Sequence, residues 1–289
     1  MLGVDYVIPD MSFLRQCKDG VHGIVLTHAH EDHIGALPFL LKHVDAPVFG
    51  TPFTLGMVRQ KLEEFEVTAP AGLHTIVPGQ PLPLGPCALE FIRVGDSVVD
   101  GIALAIHTPE GLIVHTGDFK INPEADGGMI TDTAHFARCG DQGVLALLSD
   151  STNVEREGST VPDAQIGETF SRIVAGSPGR IIVALFTSNI ARIQMIADIA
   201  RAGRRKVIIS GRSIEASAEI ARSLGYLKIP PDADVSMDFV DDYPDSEVVI
   251  ITTGSQGEPM SALARMAAGT HKQIRIKKGD TVVLSSKFI

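Results

Sequence analysis

Residues 27–35, with the sequence THAHEDHIG, contain four potential metal ligands within six positions. They are His28, His30, Asp32 and His33. Imidazole nitrogens and carboxylate oxygens are the donors that zinc and similar ions prefer. In a tight turn between a strand and a helix, His28 and His30 can point one way while Asp32 and His33 point another. That arrangement suits two ions side by side, which can hold a phosphodiester from both sides.

A surface loop that is rich in histidine by chance is the alternative to a metal centre. We apply that interpretation to the isolated histidines, which are His22, His43, His74, His107, His135 and His271. It does not suit HAHEDH, because this cluster directly follows a short apolar run, residues 23–27, which predicts a buried strand. The sequence therefore predicts a metal centre at residues 28–33.

A second segment, HTGDFK at residues 115–120, contains Asp118. Alone, Asp118 would be interpreted as a turn residue at the end of a strand. Together, the two segments resemble the HxHxDH signature of metallo-β-lactamase-fold hydrolases and the HTGDFK segment of the ribonuclease J family. That family has a metal-bridging aspartate at the position of Asp118. The resemblance implies two divalent ions, zinc first and manganese or magnesium as alternatives, with Asp32 and Asp118 as catalytic residues.

The resemblance to ribonuclease J extends over nearly the whole chain. It includes MLGVDYVIPDMSF at residues 1–13, SDSTN at 149–153, LFTSNIAR at 185–192, GRS at 211–213 and TTGSQGEP at 252–259. The last three resemble the family's inserted β-CASP domain, which forms a cleft for single-stranded RNA. This implies that four residues line the RNA path: Phe186, Thr187, Ser188 and Asn189. From the residues alone, the same four would form a strand end followed by a helix N-cap at Ser188 or Asn189.

Two positions depart from the family's pattern. The family has a histidine ligand in the segment RVTHSVVDG, where this chain reads RVGDSVVDG with Asp96 at the histidine position. Aspartate is a shorter, harder and negatively charged ligand that favours oxygen-preferring ions such as manganese. The alternative, that Asp96 binds no metal, stays open. Ala191 replaces a histidine that is frequent in the family's SNIAR segment. The resemblance also implies that family segments before residue 1 and after residue 289, including an HxSGHA motif with one further metal ligand, lie outside this sequence.

The pattern of apolar residues predicts two regions. Residues 20–160 predict short strands and few helices, with helices at 34–43 and at 51–65, where Thr51 is the N-cap and Pro52 the first helical residue. Strands are predicted at 23–27, 74–77, 89–94, 102–107, 112–115 and 143–149. Later in the chain, strands at 180–186, 206–210, 247–252 and 281–285 alternate with helices at 190–202, 213–224 and 259–268. This alternation predicts a parallel sheet with helices on its faces.

With the resemblance, we expect an α/β protein of two domains. Residues 1–162 would form an incomplete metallo-β-lactamase sandwich of the αββα type, and residues 163–289 an incomplete β-CASP domain with a parallel sheet. A dinucleotide-binding fold is excluded, because no GxGxxG segment follows a strand.

The composition restricts the cellular compartments and the binding partners that we expect. Of 289 residues, 44% are hydrophobic and 21% charged, and no apolar run is long enough to span a bilayer. We expect no signal peptide and no membrane partner. The three cysteines, Cys17, Cys87 and Cys139, form no CxxC pair, which indicates a reducing compartment and hence the cytoplasm. A net charge of −10 disfavours non-specific coating of nucleic acid but permits a local RNA groove.

These features lead to one principal hypothesis and two alternatives. The chain is interpreted as a metal-dependent ribonuclease of the ribonuclease J type that hydrolyses RNA phosphodiesters, as an endonuclease, a 5′-to-3′ exonuclease or both. Its partners would be single-stranded RNA and, by resemblance, further copies of itself or a paralogue. The first alternative is another hydrolase on the same fold, such as a thioesterase or lactonase. The second is a catalytically degenerate RNA-binding or assembly subunit, with basic stretches at residues 201–205 and 272–278 as RNA contacts or merely solvated surfaces.

Overall fold

The computed structural model describes residue 3 and residues 6–17, 20–121, 130–152, 154–155, 157–158 and 161–286. The chain divides into two compact units, Met1–Glu157 and Gly158–Ile289. Asn153 of the SDSTN segment lies outside the described residues, as do four residues of the 1–13 segment. Among the described helices, none is long and apolar enough to cross a membrane.

The first unit contains a small parallel sheet in the order β1-β2-β3. Its strands are β1 Ile24–Val25, β2 Val48–Gly50 and β3 Leu73–Thr75. Neighbouring parallel strands must be joined by a crossover connection, and helices form both crossovers in this sheet. The helices are α1 Glu31–Ile34 and α2 Leu37–Leu40 before β2, and α3 Pro52–Glu64 before β3. A short 3-10 helix, Ser12–Gln16, precedes β1.

The helix predicted over residues 34–43 is wrong in its bounds. The chain forms two short helices, and the first begins at Glu31, directly beside the histidine cluster. The second begins at Leu37 with Pro38 in its first turn. Pro38 has no N–H and its ring excludes it from a helix interior, so the helix restarts there rather than continuing. The early start places Asp32 and His33 on a helix instead of in a loop.

Helix α3 begins as the sequence predicts, with Thr51 in the N-cap position and Pro52 next. Thr51 does not cap the helix with its own side chain. Its Oγ1 donates instead to Oδ1 of Asp100 at 2.7 Å, and the backbone N–H of Phe53 donates to Oδ2 of Asp100 at 2.9 Å. Asp100 therefore acts as the anionic cap of this helix from a distant loop. Its φ of +57° is a conformation in which aspartate is one of the better tolerated residues.

The second sheet of this unit has five strands in the order β4-β5-β6-β7-β8. They are β4 Leu82–Leu84, β5 Cys87–Arg93, β6 Ile102–Thr108, β7 Gly111–His115 and β8 Val144–Leu148. The pairs from β4 to β7 are antiparallel. Strand β8 pairs parallel to β7, and α4 Thr133–Gln142 forms the crossover. Strand β4 and helix α4 are not among the predicted elements.

Alternate residues of β5 and β6 enter two different cores. On one face, Ile92 and Ala105 pack with Cys139 of α4. On the other face, Phe91 and Leu104 pack with Val25 and Phe49 of the small sheet. Period-two alternation with both faces buried gives the layered helix-sheet-sheet-helix arrangement that the fold class implies.

The second unit is a parallel four-stranded sheet in the order β10-β11-β9-β12. Its strands are β9 Ile181–Ala184, β10 Lys206–Ser210, β11 Val248–Thr252 and β12 Thr281–Leu284. Its helices are α5 Asp163–Gly176, α6 Ile190–Ala202, α7 Arg212–Ser223 and α8 Ala262–Ala267. Every residue of β9 and β11 is buried, as expected for parallel strands covered on both faces. The predicted parallel sheet is thus confirmed, whereas α5 is an additional helix.

Candidate metal centre

Three histidines and two aspartates converge in the first unit from three separate chain segments. His28 and His30 lie in the loop after β1, and His33 lies on α1. Asp96 lies in the loop after β5, and Asp118 follows the end of β7. The Nε2 atom of His28 and the Nδ1 atom of His30 are 2.8 Å apart. The structure therefore brings both sequence-predicted segments together with Asp96.

Asp118 lies between the histidines. Its Oδ2 is 3.6 Å from Nε2 of His28 and 3.7 Å from Nδ1 of His30, and its Oδ1 is 3.3 Å from Nε2 of His33. Hydrogen bonds from His28, then His30 and His33, hold the pKa of this carboxyl far below its usual range. The hydrogen bond to Asp118 likewise raises the pKa of His33. One ionised carboxylate thus presents its two oxygens to two different sets of imidazoles.

Gly117 allows Asp118 to take this position. Its φ is +58°, and an added Cβ would lie 2.9 Å from the carbonyl oxygen of Ile102. A side chain at residue 117 would therefore strain the backbone and push it away from β6. Glycine is therefore required at this position of HTGDFK for a steric reason, because the turn after β7 passes close to the neighbouring strand β6.

Asp96 approaches the same histidines from the loop after β5. Its Oδ2 lies 3.6 Å from Nδ1 of His30, and its Oδ1 lies 3.7 Å from Nζ of Lys120. The ligand atoms of His28, His30 and Asp96 all lie within 4.8 Å of one another, and so do those of His28, His33 and Asp118. Within the described ranges, these two are the groups of at least three such side chains at this spacing. The donor set of imidazoles and carboxylates fits divalent cations.

Among the predicted metal ligands, Asp32 is the residue that joins neither group. Its side chain is 80% exposed, and its Oδ2 lies 3.5 Å from Nε2 of His33. As the second residue of α1, it approaches the cluster through His33 while most of its side chain is exposed to solvent. It therefore lies beside the cluster rather than inside it.

Two hydroxyl groups orient the imidazoles, and the sequence analysis did not identify either of them. Oγ1 of Thr27 lies 3.0 Å from Nδ1 of His28, and Oγ of Ser97 lies 3.0 Å from Nε2 of His30. Each contact engages the ring nitrogen that faces away from the cluster, which leaves the other nitrogen for a metal. Adjacency to His28 and Asp96 is the only sequence signal that marks Thr27 and Ser97.

Two of the isolated histidines share a carboxylate elsewhere in this unit. Nε2 of His107 lies 3.0 Å from Oε1 of Glu90, and Nε2 of His135 lies 3.1 Å from Oε2 of the same residue. These contacts tie β5, β6 and α4 together. They give the two histidines a structural partner.

The four residues predicted to line an RNA path differ in their surroundings. Phe186 and Thr187 follow β9 and line a cavity of about 250 Å³ at the carboxyl ends of the parallel strands, with Ser213, Thr253 and Ser261 also on its wall. Ser188 is buried. Asn189 is the N-cap of α6, and its side chain accepts a hydrogen bond from the backbone N–H of Arg192 at 3.1 Å. Asn189 therefore caps a helix, as one of the two interpretations of the sequence predicts.

The basic stretch at residues 201–205 contains one buried arginine. Arg205 is buried, and its guanidinium donates to the carbonyl oxygens of Val174, Ser177 and Gly179. It thereby satisfies carbonyl groups at the end of α5. The other arginines of residues 201–205 are exposed.

Two family models match this chain. The metallo-beta-lactamase superfamily model matches residues 13–121, which include the HAHEDH and HTGDFK segments and Asp96. The model described as ribonuclease J, beta-CASP domain, matches residues 178–289.

Among curated proteins, the chain is 43% identical over 290 residues to Ribonuclease J of Helicobacter pylori strain J99, covering 100% of this chain and 42% of that protein. It is 41% identical to Ribonuclease J of Synechocystis sp., covering 100% of this chain and 46% of that protein. For Ribonuclease J of Mycobacterium tuberculosis H37Rv the identity is 42%, with 99% and 51% covered. The chain thus spans about half the length of these relatives or slightly less.

Among solved structures, a protein of unknown function from Enterococcus faecalis superposes with a TM-score of 0.61 at 16% identity, covering 97% of this chain and 74% of that one. This likeness supports the fold alone. The chain thus combines a metallo-beta-lactamase superfamily region that contains the histidine cluster with a ribonuclease J beta-CASP region, and over its whole length it is similar to curated proteins named Ribonuclease J.

Proposed function

We propose that this chain carries the metal centre and the RNA-binding domain of a metal-dependent ribonuclease that acts in RNA processing and decay. The observation that carries the proposal is Asp118, whose two oxygens face two different sets of imidazoles. Such a carboxylate is suited to bridge two cations. The relatives named Ribonuclease J, at 41–43% identity over the chain, support the choice of RNA as substrate.

The ligands divide into two groups around Asp118. We assign His28, His30 and Asp96 to one divalent ion and His33, with Asp32 beside it, to the other, while Asp118 is shared. Zinc is our first assignment because imidazole donors suit it, with manganese and magnesium as alternatives. When bound, the ions would supply Lewis acidity and a lowered pKa for water at the phosphodiester.

The chain's own residues then have distinct tasks. Asp118 is ionised and holds the imidazoles in place. Asp32 is exposed beside His33, so its carboxylate is placed to orient an attacking water by accepting a hydrogen bond. Thr27 and Ser97 fix the rings of His28 and His30.

The second unit would bind single-stranded RNA. Phe186 and Thr187 line the cavity at the strand ends, where the Phe186 ring can stack on a base. Ser188 and Asn189 would instead hold the turn between β9 and α6 in position, because Asn189 caps α6. Both endonucleolytic and 5′-to-3′ exonucleolytic cleavage belong to this proposal.

A catalytically degenerate RNA-binding subunit is the second candidate. It is favoured by Lys120, which lies 3.7 Å from Asp96 and can neutralise that carboxylate without a metal ion. A thioesterase or lactonase is disfavoured by the match to the beta-CASP family over residues 178–289.

Three further assignments belong to the same proposal. The beginning of α5 at Asp163 supports a domain boundary between residues 162 and 163, whereas the two compact units divide slightly earlier, between Glu157 and Gly158. The exposed apolar strand β8 supports association with another copy or a paralogue. Three free cysteines support a reducing compartment such as the cytoplasm.

The test is a metal count on the purified chain together with cleavage of a 5′-monophosphorylated single-stranded RNA by the same sample. We expect two ions and cleavage for the unaltered chain, and loss of both for Asp118→Ala. The control is Asp141→Ala, which removes an exposed carboxylate of α4 and should change neither result. Two tightly bound ions in Asp118→Ala would contradict the bridging role. RNA binding without cleavage would favour the degenerate subunit.

A further inference from the structure

We propose that Asp96 is a specificity-determining ligand that shifts the metal centre towards oxygen-preferring divalent cations such as Mn²⁺. This inference rests on the proposed metal centre and concerns which ion it selects. The relevant group consists of His28, His30 and Asp96, with Asp118 facing the same two imidazoles.

The side chain of Asp96 is almost completely buried, and its polar contacts are long. It is 7% exposed. Its nearest polar contacts among the described residues are Oγ of Ser97 at 3.5 Å, Nδ1 of His30 at 3.6 Å and Nζ of Lys120 at 3.7 Å. Lys120 meets Oδ1 of Asp96 from a half-exposed position, whereas Oδ2 faces the imidazole of His30 inside the cluster. A cation held between Oδ2 and the imidazoles of His28 and His30 would give this buried carboxylate oxygen a direct positive partner.

The loop that carries Asp96 is fastened at several points. The carbonyl oxygen of Gly95 accepts from the backbone N–H of Lys120 at 2.6 Å, and the N–H of Gly95 donates to Oγ1 of Thr131 at 2.9 Å. Beyond Asp96, Ser97 contacts His30, and Asp100 caps helix α3. Asp96 is therefore held on both sides next to His30.

The donor atoms explain the expected selectivity. With Asp96, the group offers two imidazole nitrogens and two carboxylate oxygens, counting Asp118. With histidine at residue 96 it would offer three nitrogens and one oxygen. Carboxylates suit Mn²⁺ and Mg²⁺, whereas imidazoles suit Zn²⁺. The negative charge of Asp96 would also reduce the net positive charge at the ion.

The experiment compares the affinities of the chelator-stripped full chain for Zn²⁺ and for Mn²⁺. The variants are Asp96→His, Asp96→Asn and, as a control, Asp45→Asn, which removes an exposed carboxylate outside the cluster. We expect Asp96→His to raise the ratio of Zn²⁺ to Mn²⁺ affinity by about tenfold or more, by analogy with the effect of altering groups around a metal. Asp96→Asn should weaken Mn²⁺ binding more than Zn²⁺ binding, and Asp45→Asn should change neither.

The readouts separate this inference from the proposed function. Isothermal titration gives both affinities, and the electron paramagnetic resonance spectrum of Mn²⁺ reports its binding directly. Melting temperatures of the metal-free variants show that each chain is folded. An unchanged affinity ratio in Asp96→His would overturn the role of Asp96 while the metal centre stands. Failure of the unaltered chain to bind either ion would overturn the metal centre and this inference together.

Discussion

At the scale of single residues, the geometry of the candidate metal centre depends on which ring nitrogen of each histidine faces the cluster. His28 presents Nε2 to the cluster and His30 presents Nδ1, because Thr27 and Ser97 engage the opposite nitrogens. A ring that is not held would have to be oriented when a metal binds, at a cost in conformational entropy. The hydroxyl contacts therefore prepare the site before any ion arrives.

The contact between Ser97 and His30 gives a residue-scale prediction. Ser97→Ala removes the hydroxyl that holds Nε2 of His30 at 3.0 Å, and we expect metal affinity to fall about 10- to 100-fold. The melting temperature of the metal-free chain should hardly change. Isothermal titration with Zn²⁺ measures the affinity.

Ser149→Ala is the matched control for this substitution, because Ser149 is exposed and its hydroxyl donates to the carbonyl oxygen of Asp150. It should leave metal affinity unaltered. Equal affinities for Ser97→Ala and the unaltered chain would show that His30 needs no help from Ser97.

At the scale of elements, a buried ion pair joins the beginnings of β9 and β12. The guanidinium of Arg180 donates to both carboxylate oxygens of Asp280, with its Nε at 3.0 Å and its Nη2 at 2.7 Å. The two side chains are 6% and 1% exposed. Burial by itself raises the pKa of Asp280, but hydrogen bonds from Arg180 and from the backbone of Lys277 outweigh it and lower the pKa.

Removing the carboxylate should destabilise the second unit. Asp280→Asn leaves a buried arginine without its counterion, and we expect a loss of about 3–5 kcal/mol in the free energy of unfolding. The control is Asp245→Asn, which breaks the half-exposed pair with Lys277 and should cost less than about 1 kcal/mol. Urea denaturation measures both. Equal, small losses would contradict the role of burial.

The same pair gives a pH dependence of defined sign. Because the pKa of Asp280 is lower in the folded chain, its contribution is complete above the unfolded pKa of about 3.9. The contribution is lost as pH falls through the lower, folded value. The stability difference between Asp280→Asn and the unaltered chain should therefore shrink in acid. A difference that stays constant down to acid pH would contradict the pKa shift.

At the scale of the whole molecule, strand β8 is an exposed apolar edge. It pairs with β7 on one side, and four of its residues are at least 37% exposed: Val144, Leu145, Leu147 and Leu148. Residues on both faces of the strand are exposed, and none of the other described strands pairs with its second edge. Such an edge promotes pairing with another chain.

We therefore expect the isolated chain to self-associate through β8. The double variant Leu145→Lys and Leu147→Lys should lower the average mass measured by light scattering, because charged side chains on an edge strand oppose pairing. Val77→Lys, at a 48% exposed residue outside the strand, is the control and should leave the mass unchanged. An identical mass for the double variant at all concentrations would exclude this edge as the contact.

Much of the second unit follows from the sequence because its signals are local. Helix α6 and strand β10 have the predicted bounds, residues 190–202 and 206–210. Apolar periodicity and end residues act over a few positions, so they can be recognised along the chain. Helices α4 and α5 were not predicted. Helix α4 buries only Cys139, so its apolar face is weak. Helix α5 does have apolar residues at helical spacing, Ile166, Phe170, Ile173 and Val174, and this signal was not used.

The sequence by itself identified HAHEDH as a candidate metal-binding segment, HTGDFK through its family resemblance, and the second unit as a parallel sheet. Only the tertiary structure decided that Asp96 joins His28 and His30, that Asp32 remains exposed, and that Ser97 and Asp100 hold the loop between them. It also decided that β8 is exposed rather than buried. The physical reason is that side-chain spacing along the chain specifies which residues share a face. Which distant loop meets that face depends on how the sheets pack and where the crossovers return the chain.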